Sequence, residues 1–200
     1  MTRHAVLWLI VATASLLTAC TDTGPQWHGK DISGLMPELQ FQLTNSRGDT
    51  VTAAESLGNV RLLYFGFTSC PDVCPTTLAK LSRAVRQLPK SQQEAITTLF
   101  VSVDPKRDTP ERLASYVDFF GEGIVGLTGE EPALRRLSKR YRTTFGYDEP
   151  DENGNYNVSH SSAVYVFDHK GRARLLLRPD LSPQQISEDL ARLADEATGV

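Results

Sequence analysis

Cys70 and Cys74 stand four residues apart in the segment Gly66-Phe67-Thr68-Ser69-Cys70-Pro71-Asp72-Val73-Cys74-Pro75, and His160 follows far downstream. A pair of thiolates can grip a soft metal ion or cycle between dithiol and disulfide. Residues i and i+4 of a helical turn have Cβ atoms about 5–6 Å apart, which suits two sulfurs converging on one ion. A disulfide needs roughly 3.5–4.5 Å between Cβ atoms, so it demands a local kink, which Pro75 would ease. The spacing therefore admits both states, with the metal state less strained. An imidazole facing the sulfurs would make a three-donor set. Soft sulfur favours Cu(I), imidazole with an added donor accommodates Cu(II), and zinc wants a further ligand that the sequence does not offer. A histidine in a loop is ordinarily a surface or hydrogen-bonding residue, so His160 counts only if the fold brings it to the dithiol.

The elements that must do this are legible in the periodicity of apolar residues. Leu39, Phe41 and Leu43 alternate with Gln40 and Gln42 as a half-buried strand, residues 45–49 form a turn, and Val51 opens a second strand, giving an N-terminal β-hairpin. Val60 to Phe67 is a nearly continuous apolar run, expected of a strand buried on both faces, and it leads straight to the dithiol. Leu78, Leu81, Val85 and Leu88 recur at helical spacing between Pro75 and Pro89. Ile96 to Val103 is a second buried strand, and Thr109-Pro110 caps a helix carrying Leu113, Tyr116, Val117 and Phe120. A short strand over 124–127, a helix with Leu134, Leu137 and Tyr141, and a hairpin over 163–168 and 174–177 follow. Ser182-Pro183-Gln184-Gln185 is a capping box that opens the last helix.

Strands alternating with helices imply an α/β fold: a central mixed sheet with helices on both faces. A dithiol at the end of a buried strand, opening the next helix, is the thioredoxin-like arrangement. There the free N–H groups and the helix dipole favour a thiolate. Two features depart from the oxidoreductases of that fold. Their dithiols have two intervening residues, where this chain has Pro71, Asp72 and Val73. They also place a cis-proline opposite the dithiol, whereas no proline occurs between Pro150 and Pro179, and the corresponding turn reads Asn157-Val158-Ser159-His160-Ser161-Ser162.

The remaining cysteine sets the compartment. Arg3 and His4 precede an apolar stretch over 5–17, short for a membrane span, and Leu17-Thr18-Ala19-Cys20 looks like a bacterial lipobox. Residues 1–19 are accordingly expected to be a signal peptide, Cys20 the lipid-modified first residue, and 20–34 a polar tether ahead of one domain over 35–200. The protein is thus expected to be exported and held by its lipid on a bacterial membrane, facing the periplasm or the cell exterior. Losing residues 1–20 removes one Arg and no acid, taking the formal charge from −3 to −4, which argues against nucleic acid as a partner.

The chemistry-bearing blocks resemble the Sco/SenC family of copper proteins. Residues 65–68 with Cys70-Pro71-Asp72-Val73-Cys74-Pro75 look like its metal motif, and residues 101–110, Val101-Ser102-Val103-Asp104-Pro105-Lys106-Arg107-Asp108-Thr109-Pro110, look like its second signature. Residues 125–129 are similar to a third, and His160 falls where the family has its ligand histidine. The resemblance implies a thioredoxin-like domain that binds one copper ion through Cys70, Cys74 and His160. It further implies work in cytochrome c oxidase assembly, delivering copper to the dinuclear site of subunit II or a related acceptor, or reducing that site's cysteines, with a separate copper donor loading the protein. Ser159 stands where the family often has Asp, and Ser69 where it often has His.

A metallochaperone, rather than a turnover enzyme, is the main reading. The rival is a thiol-disulfide oxidoreductase that uses Cys70 and Cys74 to reduce partner cysteines. A peroxiredoxin-type peroxidase is disfavoured because Thr68 lies two rather than three positions before Cys70. Asp72, Asp104 and Ser159 are candidate supporting or partner-contact residues, although a strand-end turn followed by a helix start accounts for Asp104 and Asp108. Arg135, Arg136, Lys139, Arg140 and Arg142 read as a solvated basic face. Residues 148–154 read as a mobile acidic loop leading to the histidine, and their spacing fails the EF-hand register.

Overall fold

Val60–Gly66 (β4) is buried along its whole length, as its apolar run requires, and the rest of the sheet is laid out from it. The computed structural model describes residues 26–198, so the expected signal peptide and Cys20 lie outside the described residues. On one side β4 pairs in parallel with Ile96–Ser102 (β5), which pairs in parallel with Ile124–Thr128 (β6). On the other side it pairs antiparallel with Val164–Phe167 (β9), which pairs antiparallel with Ala173–Leu177 (β10). Lys30–Asp31 (β1) flanks β10, and the hairpin of Gln42–Asn45 (β2) and Thr50–Thr52 (β3) flanks β6. The eight strands run in the order β1-β10-β9-β4-β5-β6-β2-β3.

Alternation along the strands supplies two cores. Val73–Arg86 (α1), Pro110–Asp118 (α3) and Pro183–Thr198 (α5) cover one face, packing Leu78, Leu113 and Leu190 on Leu62, Tyr64, Phe100 and Val164. Lys90–Glu94 (α2) is a short turn of helix before β5. Glu131–Arg140 (α4) covers the opposite face, packing Leu134 and Leu137 against Leu63, Phe65, Val101 and Phe167. Each such fully buried aliphatic or aromatic side chain contributes roughly 1.5–3 kcal/mol. The expected α/β sheet with helices on both faces is the fold observed. The caps read from sequence are also present: Thr109 Oγ1 accepts from the Arg112 amide at 3.3 Å, and Ser182 and Gln185 exchange both bonds of a capping box.

Three segments differ from their sequence reading. The first strand of the hairpin begins at Gln42, not near Leu39, because the preceding backbone is engaged elsewhere: Tyr141 Oη accepts from the Gln40 amide and donates to the Glu38 carbonyl. The expected tether joins the fold from Trp27 onward. Asp189 accepts from the amides of His28 and Gly29, β1 pairs with β10, and Ile32 is buried. The acidic loop belongs to a second, two-stranded sheet, Phe145–Tyr147 (β7) with Val158–His160 (β8). Its tip is ordered by Asp151, whose carboxylate accepts from the amides of Asn153 and Asn155. Strands of three residues are too short to show a period.

Candidate metal centre

The site lies at the end of the sheet where β4 and β5 finish and β9 begins. Parallel strands there release their loops toward one crevice, the usual place for a ligand in an α/β fold. Three loops meet: residues 67–72 after β4, residues 103–109 after β5, and the β7–β8 hairpin.

The cysteines do not share a helical turn, contrary to the sequence expectation. Helix α1 starts at Val73 with Asp72 at its N-cap, so Cys74 is inside the helix and Cys70 in the loop before it. Pro71 and the Asp72 backbone, at φ −141° and ψ −65°, keep the chain from continuing the helix backward. Cys70 Sγ then accepts a hydrogen bond from the Cys74 amide at 3.4 Å, satisfying one of the free donors at the helix start. Cys70 is half-buried and Cys74 fully buried, and both are free thiols. Ease of ionisation, expected from the helix terminus, is not what Cys74 shows. Burial pushes its thiol up to about 12, outweighing the hydrogen bonds that favour the thiolate.

His160 reaches the dithiol from β8, whose register with β7 pairs it with Phe145. Its ring packs edge-on to Phe67 and Tyr64, with centroids 5.6 and 6.1 Å away. Nδ1 lies 2.9 Å from the Ser161 carbonyl, which can only accept, so this nitrogen carries the proton. Nε2 therefore presents its lone pair to Cys74 Sγ, 3.3 Å away, and the thiol donates to it. Burial holds the imidazole below its ordinary value, so it is neutral at neutral pH. The donor atoms of Cys70, Cys74 and His160 all lie within 4.8 Å of one another. Two sulfurs and one uncharged imidazole nitrogen are a donor set that fits copper.

The loop after β5 fixes the other two. Asp108 is buried and accepts from the Thr68 amide at 2.9 Å, Thr68 Oγ1 at 2.6 Å and Ser102 Oγ at 2.6 Å, holding the cysteine loop. Arg112 adds bonds to Thr68 Oγ1 and Ser69 Oγ at 2.7 and 2.9 Å. Asp104 is likewise buried, so it faces inward rather than toward a partner. It accepts from Tyr156 Oη at 2.6 Å and pairs with the Arg107 guanidinium. Arg107 also donates to the Tyr156 carbonyl at 3.1 Å and lies 4.0 Å from the Tyr156 ring centroid, clasping the histidine hairpin. Tyr147 Oη donates to the Val103 carbonyl at 2.6 Å.

Of the other residues singled out from sequence, Asp72 is exposed at the helix start and accepts from Thr76 Oγ1 at 3.3 Å. Ser159 is exposed on β8, donating to the Gly146 carbonyl at 3.4 Å. Arg135 of the basic face braces the hairpin through the Phe145 carbonyl, 3.1 Å away. Sequence reading missed Gly66, where an added Cβ would lie 2.9 Å from Cys74 Sγ and 2.6 Å from Phe100 Cε2. Its position beside the dithiol in a strand otherwise rich in bulky residues was the available signal.

The SCO1/SenC family model matches residues 35–195. An SCO2-like protein of Rickettsia felis is 37% identical over 151 residues, covering 75% of this chain and 73% of that protein. Bradyrhizobium japonicum ScoI, solved with copper bound, superposes with a TM-score of 0.71 at 32% identity, over 78% of this chain and 98% of that one. A SCO1/SenC family lipoprotein from Bacillus anthracis gives a TM-score of 0.69 at 27% identity, over 84% of this chain and 99% of that one.

Proposed function

The chain belongs to the SCO1/SenC family, and on that premise we propose that it is a copper metallochaperone that takes one copper ion on Cys70, Cys74 and His160. The observation that carries this reading is the approach of His160 Nε2 to Cys74 Sγ at 3.3 Å, between residues 86 apart in sequence. An imidazole whose other nitrogen is tied to a carbonyl, with its lone pair aimed at a buried thiol, is prepared to ligate. Loading releases the thiol protons, so affinity rises with pH. Cys70 is the half-exposed donor that an incoming acceptor reaches first, while Cys74 and His160 hold the ion from within.

The acceptor in this proposal is the dinuclear copper site of cytochrome c oxidase subunit II. The protein would act outside the cytoplasm, tethered through Cys20. The lipobox-like sequence and the lipoprotein relative support the anchor, and among the described residues no helix is long and apolar enough to cross a membrane. One observation also favours the oxidoreductase reading: a half-exposed cysteine preceding a buried one at a helix start is a layout that suits attack by the first and resolution by the second.

Anaerobic copper titration of the reduced chain carrying Cys20→Ser, beside its His160→Ala variant, tests the proposal. One tightly bound copper per chain, weakened about 10- to 100-fold or more by the substitution, is the expected result. Copper binding indifferent to His160 would overturn it. Loss of reductase activity in Cys70→Ala and Cys74→Ala, with His160→Ala fully active, would favour the oxidoreductase.

A further inference from the structure

Tyr64 precedes Gly66 by two residues on β4 and so faces the same side of the sheet, beneath α1. It is fully buried, and its hydroxyl lies beside Cys74 and Thr77 without completing a hydrogen bond to any group among the described residues. Buried hydroxyls without a partner are uncommon in folded proteins, and one next to a sulfur ligand calls for a reason. The Cys74 thiol itself is a weak acceptor, and its proton is directed at His160 Nε2. A thiolate differs: it carries a full charge and accepts strongly.

We propose that the Tyr64 hydroxyl is the reserved hydrogen-bond donor to the Cys74 thiolate, made when the sulfur loses its proton to metal, and that this bond biases the site toward Cu(I) over Cu(II). The inference rests on the copper reading of the site. A hydrogen bond draws electron density from the sulfur, which weakens its donation to the more electron-demanding Cu(II) more than to Cu(I). Hydrogen bonding at a cysteine sulfur tunes copper centres in this way. Tyr116 supplies an internal comparison. Its hydroxyl is also buried and unpartnered, and its ring lies tilted against Phe100 with centroids 5.4 Å apart.

The test uses the reduced chain carrying Cys20→Ser, with Tyr64→Phe and Tyr116→Phe added singly. Cu(I) affinity is measured by anaerobic chelator competition, Cu(II) affinity by titration, and the sulfur-to-Cu(II) charge-transfer band by absorption. Tyr64→Phe is expected to shift the ratio of affinities toward Cu(II) by about 10-fold and move the band to lower energy. Tyr116→Phe is expected to change neither. An unchanged ratio and band in folded Tyr64→Phe overturns the inference, as does an equal shift in Tyr116→Phe. Failure of the unsubstituted chain to bind copper overturns the reading of the site, and the inference falls with it.

Discussion

Replacing Gly66 with alanine probes how tightly the fold holds its buried sulfur. The added methyl would sit 2.6 Å from Phe100 Cε2 and 2.9 Å from Cys74 Sγ. An ordinary carbon contact is about 3.5–4.0 Å, so the methyl is roughly 1 Å too close on two sides. Neither neighbour has free space to enter, since Phe100 and Cys74 are both fully buried. Overpacking of this kind costs about 1–3 kcal/mol. For a domain of this size that lowers Tm by about 2–12 °C. If the metal-free protein relieves the strain by moving Sγ away from His160, copper must draw it back, and the same energy weakens affinity by about 5- to 150-fold. Gly129→Ala is the control, because its added Cβ meets only the end of the Leu43 side chain, at 2.9 Å. Thermal denaturation and copper titration of both variants decide the matter. Gly66→Ala melting with the unsubstituted protein and binding copper equally would refute the packing argument.

Three further perturbations have defined outcomes. Asp108→Asn removes the charged acceptor of three hydrogen bonds and should destabilise the protein by about 2–4 kcal/mol in urea unfolding, with faster alkylation of Cys70 as the loop loosens. Tyr156→Phe deletes the bond to buried Asp104, and the amides of β8 should then exchange with solvent about 10-fold faster or more, against little change in β4. Asp168 gives a pH signature. Its burial, which alone would raise its pKa, is outweighed by bonds from the Arg172 side chain and from the amides of Arg172 and Lys170, so the folded value is lowered. Its contribution is therefore complete above the unfolded value of about 3.9 and is lost as pH falls through the folded value. The gap in urea midpoint between the unsubstituted protein and Asp168→Asn should shrink between pH 5 and pH 2, and a constant gap would refute the assignment.

Where sequence reading succeeded, the residues carried long-range consequences in their own chemistry. A seven-residue apolar run has only the centre of a sheet to occupy, and β4 is there. The two cysteines and His160, which the structure brings together, were identifiable because thiol and imidazole are side chains that can hold a soft metal and their flanking blocks are specific. Other features depend on pairings that no local pattern encodes. Lys30–Asp31 forms a strand only because Asp189, on the last helix, receives the preceding amides. The β7–β8 hairpin exists because Tyr147, Tyr156 and Arg135 tie it to the body of the protein. Cys74 illustrates a competition of effects: helix position favours its ionisation, burial opposes it, and only the packed structure shows that burial wins.

The segment from Asp104 to Asp108 acts as a yoke with unequal arms. Asp108 grips the cysteine loop through Thr68, and Arg112 grips it again. On the other arm Asp104 and Arg107 hold the histidine hairpin through the single residue Tyr156, with Tyr147 as a second tie. A pull on the hairpin therefore meets a small number of discrete bonds, while the cysteine loop stays fixed to β5 and α3. In the proposed site, a hairpin that swung away would take the His160 nitrogen with it and leave Cys70 and Cys74 in place as the remaining donors. How readily the hairpin could swing would then depend on Tyr156, a residue outside the three-donor set.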